Sequence, residues 1–251
     1  NPAPAATWSV PSLPGSLTCA NAATFSAPTL SYSNGGSAPC ANSETVTPSV
    51  TNNFDECGGT IDIVWTGTGP CPPAPYTASI PVTQAANPTW GPDPVIGPIT
   101  CAQASSGSFS IPAITYDNGG SGTCSVAGTV NGTVTSSSYD ECGGTVTVTY
   151  PTPPGLPVCF SLAPHTVVVT VSPAPNPTWA PTPSIGPITC AQADAGSFVI
   201  PPLTYSNGGS APCLVSGSVN GSVTSSSWDE CGGTLVVTYL APSLPACFSL
   251  S

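Results

Sequence analysis

Short runs of Val, Ile, Thr and Tyr alternate with polar residues along the chain, and this period of two is typical of half-buried β-strands. In TVTVTY (Thr145–Tyr150), Val and Tyr fall on one face and Thr on the other. The matching segment TIDIVW carries Asp62 at an outward position and keeps Ile61 and Ile63 inward. The same pattern predicts further strands at Ser108–Tyr116, Cys124–Val130 and His165–Val171.

This pattern occurs three times. Four cysteines in the same order mark each copy and recur every 82 to 89 residues, together with the segments SNGG or DNGG and DECGGT. The period fits a small β-domain, and motifs present in every copy are better explained by architecture than by one active site. We predict an all-β chain of three tandem disulfide-bonded immunoglobulin-like β-sandwich modules, each of about seven strands, spanning 1–86, 87–175 and 176–251.

The third module is predicted to lack its final strand. After CFSL, repeat 2 continues with HTVVVTV and repeat 1 has YTASIPVTQ at that place, whereas the third copy stops at CFSLS. A missing strand exposes a sheet edge and part of a core. Two sources of the strand stay open: a continuing polypeptide, or another copy that contributes it by β-strand addition. Without Met or a signal peptide, the chain is expected to be a piece of a longer secreted precursor.

Proline-rich segments precede the three modules, and they read NPAPAATW, QAANPTW and PAPNPTW. Such segments favour extended polyproline conformations and act as semi-rigid spacers. Each ends in a tryptophan, and two positions for its ring are open. The ring packs either at the module boundary, where it would stiffen the joint, or in the core of its own module.

The composition restricts the possible partners. The chain has no Lys or Arg among 251 residues and a formal charge of −11, which excludes nucleic-acid binding and adhesion to anionic membranes through a basic patch. No hydrophobic run approaches a membrane-spanning length, so no membrane insertion is expected. The low charge density favours self-association through the module ends, including β-strand addition at the third repeat.

Twelve cysteines without CxxC motifs or Cys/His clusters favour disulfides over zinc, and therefore an oxidising, extracellular or cell-surface location. Four cysteines per module allow three pairings. We expect a nested pairing, because Cys124 and Cys142 flank Asn131-Gly132, which is predicted to form a type I′ hairpin turn. The other two pairings stay open. The predicted pairs are Cys19–Cys71, Cys40–Cys57, Cys101–Cys159, Cys124–Cys142, Cys190–Cys247 and Cys213–Cys231.

Paired acidic residues precede each CGG segment, at Asp55-Glu56, Asp140-Glu141 and Asp229-Glu230. Adjacent residues of an extended chain point in opposite directions, so a structural turn is favoured over acid–base catalysis. Weak calcium candidates are Asp117, Asp140 and Glu141, since carboxylates are calcium ligands. No nucleophile arrangement can be built around His165, the only imidazole. The NGG segments are predicted to be turns, and we expect no catalytic residue, metal or cofactor.

Two N-glycosylation sequons begin at Asn131 and Asn220. Their place at predicted hairpin turns explains the Asn-Gly pairs equally well without a sugar. Aromatic residues stand just before DEC at Phe54, Tyr139 and Trp228. They are the candidate stacking positions if the chain binds glycans, although packing in a core or interface is the simpler role.

The succession ITC, ITYDNGGSGTC, VAGTVNGTV, YDECGGTVTVTY and VVVTVSPAP resembles the HYR-like immunoglobulin-type repeats of large Bacteroidota surface proteins, with DECGGT as its most specific element. The resemblance implies an extracellular repeat array in an adhesin or secreted filament. The proline-rich GLPVCF and SLPACF depart from the polar segment usual in that family. We therefore expect a non-enzymatic structural subunit or segment of an extracellular bacterial filament, a protease-resistant disulfide-stabilised rod that assembles end to end. The alternative is the stalk or carbohydrate-binding array of a cell-surface adhesin.

Overall fold

Strands provide most of the regular structure in the computed structural model, which describes residues 4–250. In repeat 1 the elements are β1 (Thr7–Trp8), β2 (Leu17–Thr18), α1 (Cys19–Thr24), β3 (Leu30–Ser33), β4 (Ser43–Val46), β5 (Ser49–Asp55), β6 (Gly58–Trp65) and β7 (Tyr76–Thr83). In repeat 2 they are β8 (Thr89–Trp90), β9 (Ile99–Thr100), α2 (Cys101–Ser106), β10 (Ile114–Asp117), a 3₁₀ turn (Gly122–Cys124), β11 (Ala127–Val130), β12 (Thr133–Asp140), β13 (Gly143–Tyr150) and β14 (His165–Ser172). In repeat 3 they are β15 (Thr178–Trp179), α3 (Cys190–Ala195), β16 (Leu203–Ser206), β17 (Ser216–Val219), β18 (Gly221–Asp229) and β19 (Gly232–Tyr239).

Repeats 1 and 2 each contain one three-stranded and one four-stranded sheet. The strand orders are β1-β3-β4 and β2-β7-β6-β5 in repeat 1, and β8-β10-β11 and β9-β14-β13-β12 in repeat 2. Pairing is parallel between β2 and β7 and between β9 and β14, and it is antiparallel within β1-β3-β4, β8-β10-β11, β5-β6-β7 and β12-β13. Repeat 3 forms β15-β16-β17 but, within the described residues, only the pair β18-β19 beside it. The all-β, disulfide-bonded architecture and the missing final strand are therefore confirmed.

The two sheets of repeat 1 enclose one hydrophobic core. Leu30 and Tyr32 of β3 join Ile61, Ile63 and Trp65 of β6 in this cluster. The alternation predicted for β6 is confirmed, because the outward Asp62 accepts hydrogen bonds from Asn53 and Ser79 at 2.7 and 2.6 Å. These bonds, with that from Ser79 the stronger influence, lower the pKa of Asp62. Because its oxygens are hydrogen-bonded to polar neighbours, this carboxylate destabilises the sheet little.

Two of the predicted strands are shorter than expected. Within Ser108–Tyr116, strand structure begins only with β10, because Pro112 has no N–H to donate to a strand ladder. The carbonyl of Pro112 instead accepts a hydrogen bond from the Tyr150 hydroxyl at 2.9 Å. Cys124–Val130 begins with the 3₁₀ turn and becomes β11 only from Ala127. The strand predicted at His165–Val171 is confirmed as β14.

Each repeat also contains a six-residue helix that starts at its first cysteine. In α2, Thr100 and Gln103 form a reciprocal capping box, and Gly107 ends the helix with φ at +67°. The segment TCAQ carries this signal in repeats 2 and 3, and Thr18 caps α1 in the same way with its hydroxyl. These helices were not predicted from the sequence, because the high Pro and Gly content of the chain argued against helical structure.

The predicted Asn-Gly hairpin turns are wrong. β11 pairs with β10, and β12 pairs with β13, so Asn131-Gly132 connects strands of two different sheets. Gly132 does not have the positive φ that a type I′ turn needs. It is a glycine for another reason: a Cβ there would lie 2.7 Å from Val148 and Tyr150 side-chain atoms.

The tryptophan of each linker belongs to the sheet of its own repeat. Trp8 lies edge-on to Tyr32 with ring centroids 5.0 Å apart, and its indole N–H donates to the carbonyl of Ala74 at 2.8 Å. Trp90 and Trp179 contact Tyr116 and Tyr205 in the same T-shaped manner. Of the two positions left open by the sequence, the structure places these rings within their own modules.

The chain divides into two compact units. The first comprises the residues up to Asp93 with Ala113–Asn131 and Pro151–His165, and the second comprises Pro94–Pro112, Gly132–Tyr150 and the residues from Thr166 onwards. Both units draw on repeat 2, so they do not follow the sequence repeats. The boundaries 1–86, 87–175 and 176–251 describe the sequence repetition, and as domain boundaries they stay a prediction.

Candidate functional site

Every disulfide in the structure joins one repeat to the next. The first cysteine of a repeat bonds to the second cysteine of the following repeat, and the third bonds to the fourth of the following repeat. The four bonds are Cys19–Cys124, Cys57–Cys159, Cys101–Cys213 and Cys142–Cys247. The nested pairing within modules is therefore wrong for all six predicted pairs. It rested on the Asn-Gly hairpin, which does not form.

The first-to-second bond lies between two local structures that recur in every repeat. One is the start of the short helix, where Cys19 and Cys101 are 2% and 1% exposed. The other is the loop after the NGG turn: Asn118 accepts from the amides of Gly120 and Val126 and donates to the carbonyl of Cys124 at 2.9 Å. The NGG segments are turns, as predicted, and their role is to shape the loop that carries the second cysteine.

The third-to-fourth bond starts at the acidic pairs. Asp140 ends β12, and its carboxylate accepts from the amide of Cys142 at 2.8 Å, which closes the turn into β13. Asp55 and Asp229 make the same bond to Cys57 and Cys231. These aspartates therefore form the structural turn that was predicted before the CGG strand.

Within the described residues, four cysteines form no disulfide: Cys40, Cys71, Cys190 and Cys231, all exposed. In repeat 1 they are the second and fourth cysteines, whose partners would belong to a preceding repeat. In repeat 3 they are the first and third, whose partners would belong to a following repeat. The exposed cysteines thus occupy positions whose equivalents in the other repeats form inter-repeat disulfides.

The outer edge of β19 is open where repeats 1 and 2 have a further strand. In repeat 2, a Cβ on Gly143 would lie 2.5 Å from the carbonyl of Val171 in β14, whereas nothing lies within 4 Å of the equivalent position on Gly232. A groove follows this edge, lined by Ile185, Ile188, Cys190, Trp228, Leu235 and Val237. Apolar residues equivalent to a buried core are thus left partly accessible.

A hydrogen-bond network in repeat 1 fixes the loop that carries Cys71. The Glu44 carboxylate accepts from the Thr68 hydroxyl at 2.6 Å, the Thr68 amide at 2.9 Å and the Tyr32 hydroxyl at 2.7 Å. These bonds, that from the Thr68 hydroxyl first, lower the pKa of Glu44 to about 2. The bond to Glu44 in turn raises the pKa of Tyr32. Repeat 1 thus holds the Cys71 loop by a charged side chain where the other repeats have glycine.

The remaining candidates do not assemble into a catalytic or metal site. Among the described residues, no three His, Cys, Asp or Glu side chains lie close enough together to hold a metal ion. Asp117 accepts a bond from the amide of Gly119, and Asp140 is occupied in its turn. The His165 Nε2 lies 2.6 Å from an Asp93 carboxylate oxygen at the surface.

The candidate glycan positions differ in accessibility. Asn131 and Asn220 are both exposed, so the sequons are open to modification, which stays a prediction. Phe54 packs against the core of repeat 1 and Tyr139 is half-buried, whereas Trp228 is 38% exposed. The exposed Trp228 lies beside the open edge of repeat 3.

Comparisons of the chain with protein-family models, with curated proteins and with solved structures give no match. Four disulfides indicate folding in an oxidising environment. Between residues 4 and 250, no helix is long and apolar enough to cross a membrane.

Proposed function

We propose that this chain is a non-enzymatic structural subunit or segment of an extracellular filament, in which repeats follow one another and are joined by disulfides. The observation that supports the proposal most directly is that all four disulfides connect successive repeats rather than close a repeat on itself. Such bonds transmit load from repeat to repeat through covalent links beside the backbone.

Surface chemistry supports assembly. The chain carries few charges for its size, with a formal net charge of −11, and at physiological salt charges are screened beyond about 8 Å, so the repulsion between copies is short-ranged. The open edge of β19 offers unpaired backbone groups for β-strand addition. The motif resemblance to HYR-like repeats of bacterial surface proteins supports the extracellular location in the proposal.

Electron microscopy of unreduced protein tests this proposal. The expected result is continuous filaments with an axial repeat set by the module, and the same preparation after reduction should show shortened or dispersed filaments. Dispersed single particles under oxidising conditions, at concentrations where no precipitation occurs, would contradict the proposal. Trypsin should leave the material intact in both states, because the chain has no Lys or Arg.

The alternative function is a carbohydrate-binding array on an adhesin, and the exposure of Trp228 is the observation that favours it. An indole face of this kind can stack on a sugar ring. Retention on insoluble polysaccharide, lost in Trp228→Ala and kept in Tyr139→Ala, would support the array. A filament subunit shows no such retention, so the two functions give opposite outcomes.

A further inference from the structure

We propose that two copies of this chain join head to tail through two specific disulfides, Cys190 with Cys40 of a second copy and Cys231 with Cys71 of that copy. This inference rests on the proposed structural function and names the chemistry of its joint. It follows the rule seen twice inside the chain, in which first pairs with second and third pairs with fourth of the next repeat. Among the cysteines of residues 4–250, these four are the ones left to satisfy that rule.

The donor half of the joint is already formed in repeat 3. The Cys190 thiol lies 3.4 Å from the carbonyl oxygen of Asp229, and the bonded Cys101 sulfur lies 3.4 Å from that of Asp140. Cys190 also starts a helix with the same capping box as Cys101. The difference between the two sites is exposure, since Cys101 is covered by its partner repeat and Cys190 is not.

The acceptor half is equally formed in repeat 1. Asn34 donates to the carbonyl of Cys40 at 2.8 Å and accepts from Gly36 and Asn42, as Asn118 and Asn207 do in the loops of the bonded Cys124 and Cys213. The Asn42 side chain donates to the carbonyl of Cys71, so one residue contacts both cysteine loops. Cys40 and Cys71 line one groove of the first compact unit.

The contacts that accompany the bonded joints show what the second copy would supply. In the first compact unit, helix α1 contacts the 3₁₀ turn of Cys124, and the Gln84 side chain donates to the carbonyl of Cys159 at 2.6 Å. In the second, the Ser105 hydroxyl donates to the carbonyl of Ala211 at 3.4 Å. A helix and a cysteine loop therefore meet at each joint, and repeat 3 presents the helix while repeat 1 presents the loop.

The bonds form by thiol–disulfide exchange with a small-molecule disulfide such as oxidised glutathione. The Cys190 thiolate attacks one glutathione sulfur and releases one glutathione thiolate, which leaves a mixed disulfide. The Cys40 thiolate of the second copy then attacks the Cys190 sulfur and releases the second glutathione. Two protein thiols are oxidised and one disulfide is reduced to two thiols. The first bond makes the second intramolecular, at an effective concentration of about millimolar.

The test uses the full chain with its four internal disulfides intact, oxidised in a glutathione buffer and separated on a non-reducing gel. The wild type should give a ladder of oligomers. Cys40→Ala/Cys71→Ala and Cys190→Ala/Cys231→Ala should each stay monomeric alone and give dimers, with no higher species, when mixed. All four cysteines are exposed and form no disulfide in the monomer, so these variants should keep the fold, and circular dichroism of each variant checks this.

Register is tested by leaving one cysteine at each end. Cys71→Ala/Cys231→Ala keeps Cys40 and Cys190 and should cross-link, whereas Cys71→Ala/Cys190→Ala keeps Cys40 and Cys231 and should not. The yield of cross-linked product from the matched pair should exceed that from the mismatched pair ~10-fold or more, the ratio that about 1.4 kcal/mol of favourable contact gives. Equal yields, or Cys190 bonded mainly to Cys190, would overturn the proposal, as would the absence of any ladder.

The quadruple variant without these four cysteines separates this joint from the proposed function. If it still forms filaments while the matched pair fails to cross-link, the cysteine register is wrong and the structural function stands. If the matched pair cross-links but no filaments form from the wild type, the register holds and the filament function fails.

Discussion

The Cys190 thiol lies 3.4 Å from the carbonyl oxygen of Asp229, at the position that a disulfide sulfur takes in each preceding repeat. The environment of this cysteine is thus set by its own repeat, through the helix cap and the Asp turn, before any partner arrives. What the partner adds is burial. This division explains why one local motif serves in bonded and unbonded repeats alike.

Disulfide mapping of the native chain should give only inter-repeat cross-links. Trypsin cannot be used, because the chain has no Lys or Arg, so the fragments must come from pepsin under acidic, non-reducing conditions. We expect a peptide pair joining Cys101 to Cys213 and another joining Cys142 to Cys247. Recovery of Cys101 with Cys159, or of Cys124 with Cys142, would contradict the structure and restore the nested pairing.

Removing an inter-repeat disulfide should destabilise the chain strongly. The bond Cys101–Cys213 closes a separation of 112 residues, and loss of a native disulfide from a small secreted domain typically costs about 2–5 kcal/mol. The matched control is Cys40→Ala/Cys71→Ala, whose unpaired exposed cysteines should change the free energy of unfolding by no more than about 0.5 kcal/mol. Urea unfolding of Cys101→Ala/Cys213→Ala beside this control measures the difference, and equal stabilities would contradict the bond.

The strands of the four-stranded sheets were predictable because their signal is local. β13 and β6 alternate in sequence, and the structure buries Val146, Val148 and Tyr150 as the alternation requires. The missing strand of repeat 3 was predictable for a related reason, since the two complete copies supply the template. The short helices were missed although Thr100 and Gln103 carry a capping signal, because the 33 Pro and 26 Gly of the whole chain argued against helices and outweighed the local Ala and Gln residues.

The disulfide pairing could not be predicted from the sequence, and the reason is symmetry. Every repeat contains both members of each pair, so Cys101 has an equivalent partner within its own repeat, Cys124, and in the next repeat, Cys213. Spacing cannot distinguish the two, because a closed and an exchanged arrangement use identical segments. The Asn131-Gly132 hairpin was the one guide that favoured the nested pairing, and it was wrong because this dipeptide joins strands of two different sheets.

A matched pair of valines tests how much the missing strand matters. Val148 is fully buried in β13, and its counterpart Val237 in β19 is only half-buried. Val148→Ala removes two buried carbons and should cost about 1.6 kcal/mol from transfer alone, at about 0.8 kcal/mol per carbon. Val237→Ala should cost clearly less, because water already reaches the open edge. Urea unfolding of the two variants measures this difference. Equal losses would mean that the edge is covered in solution.

The network around Glu44 should make stability depend on pH in acid. Hydrogen bonds from Thr68 and Tyr32 lower the pKa of Glu44 to about 2, from an ordinary value of 4.5. A carboxyl whose folded pKa is depressed contributes stability that is fully present above pH 4.5 and is lost as the pH falls towards 2. The urea midpoint of the wild type should therefore exceed that of Glu44→Gln by a constant margin at neutral pH, and the margin should shrink between pH 4.5 and 2.

Thr68→Val provides the matched variant for this prediction, since it removes the hydroxyl that contributes most to the lowered pKa and leaves an exposed side chain of similar shape. In this background the pKa of Glu44 should rise towards 4.5, so the loss of stability on acidification should still begin near pH 4.5 but should be smaller and complete at a higher pH than in the wild type. The Thr68 amide still donates to Glu44, and part of the shift should therefore remain. If the margin between wild type and Glu44→Gln stays unchanged down to pH 2, the network does not stabilise the charged carboxylate, and the Cys71 loop is held by the Asn42 bond instead.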